Sequence, residues 1–430
     1  MNKSIFISLL TIFQLSITFL FQIFILNIFG ISSDVDIYLS SNTINYILVG
    51  VASGAINYAL TPELIKLRVL CRYKQLVTLI NSIVNIIFIF FLIFAMIQFY
   101  FSNNIATILF PGFSDDDNIL LGELLAIQAF ISIVSVLIGV LNSINYTFNN
   151  IYRTILSPIV AGLLQIIFVY YTFEQYGIYS LVYALALNQL FIFATLGYGY
   201  FSYYKVKIIF NRKLTHVYNK IAPLFVSATF SKSDILVNRY FASMLDAGSI
   251  VLLHYGLLFI STISTVVDKG VSIVTLRKFS LIDSHNIEEF NLYFKNTYKI
   301  MLYVTMIMTA FIVVFSDIVL EFIFSDNKFN KDQVETLYYV VISFLGVFVG
   351  GVLSSVLVNA FYSKGLTAIV SKMSIAVQAV AIPVKILFFH MYGFFALVLV
   401  TSFHYLVTFI LLIILYDKYI HQISYIEFGR

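Results

Sequence analysis

The sequence predicts an all-α polytopic membrane protein, with about twelve transmembrane helices in two parallel-repeat six-helix lobes around a central cavity. Three observations carry that expectation. Hydrophobic residues make up 60% of the chain and charged residues only 11%, against about 25% charged in a soluble domain. Twelve stretches are long enough to cross a hydrocarbon core, which needs roughly 20 apolar residues. The third observation is an internal repeat: YGIYSLVYALALNQL (176–190) aligns with YGFFALVLVTSFHYL (392–406), and GVLNS (139–143) with GVLSS (351–355). The offset of 212–216 residues equals six spans, which makes the repeat parallel, with its pseudo-two-fold axis along the membrane normal. The chain then divides into an N-terminal lobe (1–205), a basic linker (206–216) and a C-terminal lobe (217–430).

The first span, 4–29, follows Lys3 and is too long for a signal peptide, so it reads as an uncleaved helix. Span two, 35–65, starts at its outer mouth beside Asp34 and Asp36, which read as solvated at the interface, and carries GVASG (50–54), a small-residue pattern suited to close helix contact. Spans three to six cover 76–102, 119–144, 151–173 and 178–204, the last two parted only by FEQYG. Spans seven and eight cover 217–243 and 248–275. Spans nine to twelve cover 293–324, 334–361, 366–390 and 392–417, with FHMYG as the final tight turn. Pro62, Pro158, Pro223 and Pro383 fall inside spans, where kinks are tolerated. With no Trp, the 30 Tyr and 44 Phe must supply the interfacial belts.

Basic residues set the orientation. KLRVLCRYK (66–74), the 203–220 stretch, LRK (276–278) and DKY (417–419) fall on one side, which puts both termini in the cytoplasm of a bacterial inner membrane. The opposite loops hold SDDD (114–117), FEQYG, LDAGS and SDNKFNKD. The net charge of +4 thus reflects topology and gives no case for nucleic acid.

Span seven raises the functional question, because FSKSDILVNRY (230–240) places Lys232, Asp234 and Arg239 deep in a membrane helix. Each such charge costs roughly 2.5–3.5 kcal/mol at a helix centre. Residues seven apart share a helix face to within about 20°, so Lys232 and Arg239 point together, while Asp234 lies about 140° from Arg239. Asp234 shares another face with Asn238. The two cations therefore need a partner on another helix, or water. Span eight carries His254, Ser261 and Asp268 at successive sevens, and span one carries Thr11, Gln14, Thr18 and Gln22 on one face. Each stripe alone is explained by hydrogen-bonded helix packing; a shared hydrophilic cavity explains all three. The candidate translocation residues are Lys232, Arg239, Lys385, His254, Ser261 and Gln22, with Asp234 and Asp268 as candidates for H+ or Na+ coupling.

No catalytic residues, cofactor or metal site are expected. The chain has no HExxH, phosphate loop or nucleophile elbow, and its single cysteine, Cys71, excludes an internal disulfide. The SDDD run reads as a solvated loop.

IFGISSDVDIYL (28–39), GAINYALTPEL (54–64), GVLNSINYTF with SPIV (139–160), RYFASMLDAGSIVLLHYG (239–256) and NAFYSKGLTAIVSKMS (359–374) resemble the multidrug/oligosaccharidyl-lipid/polysaccharide (MOP) exporter superfamily. Within it, the resemblance is to the MurJ-type lipid II flippases and the Wzx-type polysaccharide-repeat flippases. It implies an alternating-access transporter that turns a polyprenyl-diphosphate-linked saccharide from the cytoplasmic to the outer leaflet of the bilayer. Polysaccharide polymerases and glycosyltransferases are its implied pathway partners. Lipid II flippases carry arginines where this chain has Leu15, Phe21 and Leu258, an Asp at Gln22 and a Glu at Ser261, and usually two further helices. These departures direct the expectation to the Wzx-like branch, with lipid II and a cation-coupled multidrug exporter as alternatives. Lys232 and Arg239 then become the diphosphate clamp, with His254 and Ser261 available to sugar hydroxyls.

Overall fold

In lipid, a backbone must satisfy its own hydrogen bonds, and a chain with these apolar runs can do so only as helices. The computed structural model describes residues 3–209, 212–282, 287–324, 331–364 and 366–421, and among them there is no strand. The helices are α1 (Lys3–Phe29), α2 (Ser33–Val69), α3 (Tyr73–Tyr100), α4 (Ser102–Leu109), α5 (Asp115–Thr147), α6 (Ile151–Tyr176) and α7 (Tyr179–Gly197). They continue with α8 (Arg212–Ala242), α9 (Ser249–Leu281), α10 (Ile287–Ile323), α11 (Lys331–Ser343), α12 (Leu345–Ser363), α13 (Thr367–Tyr392) and α14 (Phe394–Tyr416).

Every expected span has its helix. The span expected at 334–361 is broken at Phe344 into α11 and α12, and α4 is an extra short helix. Among the described residues, 11 helical spans are long and apolar enough to cross a membrane. The chain is a multi-pass membrane protein. The Lys328 loop position lies outside the described residues.

The chain forms two compact units, Met1–Ile250 and Val251–Arg430. The first holds α1–α8, and its most extensive packing is α2 on α5. Small residues permit that approach: a Cβ on Gly139 would lie 2.7 Å from Ser53 Oγ, inside the GVASG stretch. Ser143 Oγ then donates to Asn57 Oδ1 at 2.6 Å. The SDDD run is not a free loop. Ser114 caps α5 by accepting the Asp117 N–H, and Asp115, Asp116 and Asp117 sit at the positive end of the helix dipole. In the second unit, Phe279 packs on Phe290 at 4.9 Å and Phe294 stacks on Tyr416 at 4.1 Å.

The two short turns that separate paired spans have the same geometry. Gly177 has φ 51° and ψ −133°, and Gly393 has φ 60° and ψ −133°. Each glycine N–H donates to a carbonyl four residues back, Phe173 and Phe389 respectively. Positive φ at both explains why glycine stands there, 216 residues apart as the aligned sequences require.

Between α7 and α8 the chain does not hang free. Tyr200 and Tyr204 donate their hydroxyls to Asn81 and Asn85 of α3, at 2.6 and 2.5 Å. Asn85 Nδ2 donates to the carbonyls of Lys205 and Lys207, and Ser82 Oγ accepts the N–H of Ile209. The basic linker is thus laced along α3, with Lys205 and Lys207 exposed.

Candidate functional site

Two helices of membrane length are unusually polar. At 31 residues α8 is long enough to span, and its sequence carries seven basic or acidic side chains counting His216. Of the eleven apolar spans, α2 is the least hydropathic. These two helices pack along each other within the first unit. Their pairing gives each a neighbour other than lipid for its polar side chains.

The seam has a tied end and an open end. At the tied end, the Arg239 guanidinium donates to the backbone carbonyl of Leu39 and, at 2.7 Å, to the Thr43 hydroxyl. The expectation that Asp36 is solvated at the interface is corrected here: it is 2% exposed and accepts the Gly248 N–H at 2.6 Å. On the other face of α8, Asn238 Nδ2 donates to Asp234 Oδ2 at 3.3 Å, as their spacing of four predicts.

At the open end, Lys232 Nζ lies 4.5 Å from the ring centroid of Tyr46. A Cβ on Gly50, one turn further along α2, would lie only 3.3 Å from the same nitrogen. Among the described residues, the ring is the sole recorded partner of this ammonium, which makes neither hydrogen bond nor ion pair. Lys232 is half-buried, whereas Tyr46 is 57% exposed. The sequence reading missed Thr43, Tyr46 and Gly50, which recur at three and four residues on α2 and so share a face.

The remaining candidates lie elsewhere. Gln22 is half-buried on α1 of the first unit. His254, Ser261 and Asp268 are half-buried on α9 of the second unit. The His254 ring meets Tyr255 edge-on at 5.2 Å, and Ser261 Oγ donates to the Leu258 carbonyl of its own helix. Lys385 is fully buried on α13 and donates to Thr401 of α14 at 2.8 Å, so it is enclosed within the second unit.

The family model described as "Lipid II flippase MurJ" matches residues 25–427, nearly the whole chain. The chain belongs to the MurJ lipid II flippase family. A protein named "Probable lipid II flippase MurJ" from Buchnera aphidicola subsp. Schizaphis graminum is 24% identical over 84% of this chain and 73% of its own length. One of the same name from Buchnera aphidicola subsp. Acyrthosiphon pisum is 27% identical over 58% of this chain and 50% of its own. In fold, the chain resembles a solved lipid II flippase MurJ in an inward closed conformation, with TM-score 0.84 and 20% identity, over 95% of this chain and 87% of that one. It also resembles an inward-facing MATE multidrug transporter of the MOP superfamily, with TM-score 0.72 and 14% identity, over 96% and 95% of the two chains.

The chain is therefore a transporter of the flippase kind for a lipid-linked precursor, and not an enzyme. The expectation that favoured the Wzx-like branch gives way to its lipid II alternative. Leu258 and Ser261 are local departures inside the matched residues 25–427, and Leu15, Phe21 and Gln22 lie ahead of them.

Proposed function

We propose that this protein moves lipid II from the cytoplasmic to the outer leaflet of a bacterial inner membrane by alternating access, with both termini in the cytoplasm. The family match over residues 25–427 carries this reading. The α2–α8 seam supports it chemically, because a diphosphate headgroup needs cationic donors where water is scarce, and Lys232 stands in such a place with no anion of its own. The two lobes, 1–205 and 217–430, act as the moving repeats. The matched turns at Gly177 and Gly393 support that symmetry. Asp234 or Asp268 provides coupling to H+ or Na+.

Expression of this chain in a bacterium depleted of its own lipid II flippase tests the reading. Growth should be restored and lipid II should become accessible at the outer face. Persistent cytoplasmic-face lipid II, with the protein present in the membrane, would overturn it.

A surface-polysaccharide repeat linked to the same polyprenyl diphosphate is the second reading. The non-cationic Leu15, Phe21, Gln22, Leu258 and Ser261 favour it. It predicts failure in the depletion assay but rescue of a strain that lacks its polysaccharide flippase.

A further inference from the structure

Between Lys74 and Lys205 the sequence holds a single Lys or Arg, Arg153, against five acids: Asp115, Asp116, Asp117, Glu123 and Glu174. Helices α6 and α7 set these charges at opposite ends. Arg153, at the start of α6, donates to the Tyr198 carbonyl just past α7 at 3.1 Å. Glu174 stands at the other end, beside the Gly177 turn, and Glu123 of α5 reaches that end by accepting the Tyr179 hydroxyl. Both α6 and α7 are apolar enough to cross a membrane, so the turn marks an acidic membrane edge of the first unit.

Aromatic rings gather at this edge. Tyr179 and Tyr183, four apart on α7 and so on one face, stack at 6.4 Å with 28° between their planes. Tyr176, the last residue of α6, meets Tyr183 at 5.9 Å and 87°. The three rings form a corner of two nearly perpendicular planes, in which Tyr176 is 45% and Tyr183 38% exposed. Glu123 is exposed as well. The Tyr179 hydroxyl takes only Oε2 of that carboxylate, and among the described residues Glu123 makes no other hydrogen bond or ion pair.

We propose that this corner seats the ammonium of a phosphatidylethanolamine headgroup. Tyrosines at a membrane edge are expected whatever else they do, and the repeat shows an ordinary edge for comparison. The matching turn at Gly393 has Phe395 and Leu399 in the places of Tyr179 and Tyr183, which cannot repeat the stacked pair. Glu335, the match of Glu123 at the offset of 212, accepts instead from Tyr339 of its own helix at 3.3 Å. What the first unit adds is a carboxylate held beside ring faces. The rings attract a cation through their quadrupoles, and the second carboxylate oxygen accepts from its N–H. A hard divalent ion fits poorly, because it takes about six or more oxygen ligands and the corner offers one carboxylate. An organic ammonium suits both parts, and a lipid headgroup is the ammonium that a membrane edge meets. The acids of the edge repel anionic headgroups. This seat rests on α5, α6 and α7 alone and is independent of the cargo.

The test uses the full chain, purified in detergent, with native mass spectrometry to count retained lipid. The probes are phosphatidylethanolamine, its N-acetyl derivative, which lacks the ammonium, and phosphatidylglycerol. The parent should hold phosphatidylethanolamine about tenfold more tightly than either control. Glu123→Gln and Tyr183→Leu should each remove about fivefold of that preference, whereas Tyr183→Phe, which keeps the ring, should stay within about twofold of the parent. Glu335→Gln, at the matched position of the second unit, should leave the preference unchanged. The proposal is overturned if the parent holds phosphatidylethanolamine and its N-acetyl derivative alike, a result that makes the tyrosines an interfacial belt only. It is equally overturned if Glu123→Gln keeps the full preference, if Glu335→Gln loses as much as Glu123→Gln, or if Tyr183→Leu and Tyr183→Phe behave alike. Should Tyr183→Leu fail to fold, the exposed Glu123→Gln substitution decides alone.

Discussion

The carboxylate of Asp36, at the start of α2, accepts a hydrogen bond from the backbone N–H of Gly248 at 2.6 Å, although 212 residues separate them. Gly248 has φ +91°, and a Cβ there would lie 2.5 Å from Ile31 Cγ2. The turn after α8 therefore closes onto the turn before α2, and only glycine fits the closure. Asp36→Ala leaves a buried N–H without its acceptor, at a cost of about 1–3 kcal/mol. Asp36→Asn keeps an acceptor and should lose less. Thermal unfolding in detergent should rank parent, Asn and Ala in that order, with Gly248→Ala at or below Ala. Equal melting of Asp36→Ala and parent would refute the closure.

Arg239 should behave as a structural residue and Lys232 should not. Arg239→Gln takes the charged donor away from the Leu39 carbonyl and the Thr43 hydroxyl, and hydrogen bonds to a charged group are worth about 1.5–3 kcal/mol. Thr43→Val removes one neutral acceptor and should cost about 0.6 kcal/mol, the average for hydrogen bonds inside membranes. Lys232→Gln, with no hydrogen bond to lose, should melt with the parent or above it. A melting series in which Lys232→Gln is the least stable of the three would reverse the assignment.

How much of this was legible beforehand depends on what each feature needs. The helices follow from local composition, whereas FEQYG and FHMYG are the least marked boundaries in the sequence, being too short to stand out between long apolar runs. Lys232 and Arg239 stood out because charge in a span is costly wherever it sits. Their separate fates were not legible, because they turn on which α2 residues lie opposite, and a single sequence says nothing of register between helices. Thr43, Tyr46 and Gly50 are ordinary residues in a span; only apposition to α8 gives them a role. Asp36 was misread for the converse reason: a carboxylate near a helix end usually meets water, and here a distant turn covers it. Lys385 looked like a cavity residue by depth alone, yet α14 places Thr401 against it.

The laced linker makes a proteolysis prediction. Asn81 and Asn85 are buried on α3 and hold the strap through its tyrosine hydroxyls and carbonyls. The double variant Asn81→Ala/Asn85→Ala should expose the strap, so trypsin should cut after Lys205 and Lys207 about tenfold faster if roughly 1.4 kcal/mol of local stability is lost. Burial holds the Tyr200 phenol above its ordinary pKa of 10.0, with Tyr204 adding to the effect. A raised pKa in the folded state means that the neutral phenol's contribution is complete below pH 10 and declines as pH rises above it. Protection should therefore be flat from pH 7 to 9 and fall above about 10, and Tyr200→Phe should remove part of that fall. Unchanged cleavage in the double asparagine variant would show that the lacing contributes nothing.

Lys385 offers the sharpest contrast with Lys232, because both are membrane-depth lysines and only one is enclosed. Lys385 is 0% exposed and donates to Thr401 at 2.8 Å. Thr401→Val removes an acceptor from a buried cation and should destabilise by about 3 kcal/mol. Lys385→Met removes the charge itself and should cost little or even stabilise, since apolar replacements of buried ionic groups often do. The double variant Lys385→Met/Thr401→Val should then recover most of what Thr401→Val alone loses, a coupling that a double-mutant cycle of melting free energies measures directly. Lipid II transport by Lys385→Met should stay near the parent level, because a side chain without solvent access has no route to a headgroup. Transport abolished in a well-folded Lys385→Met protein would instead put this lysine on the cargo's path.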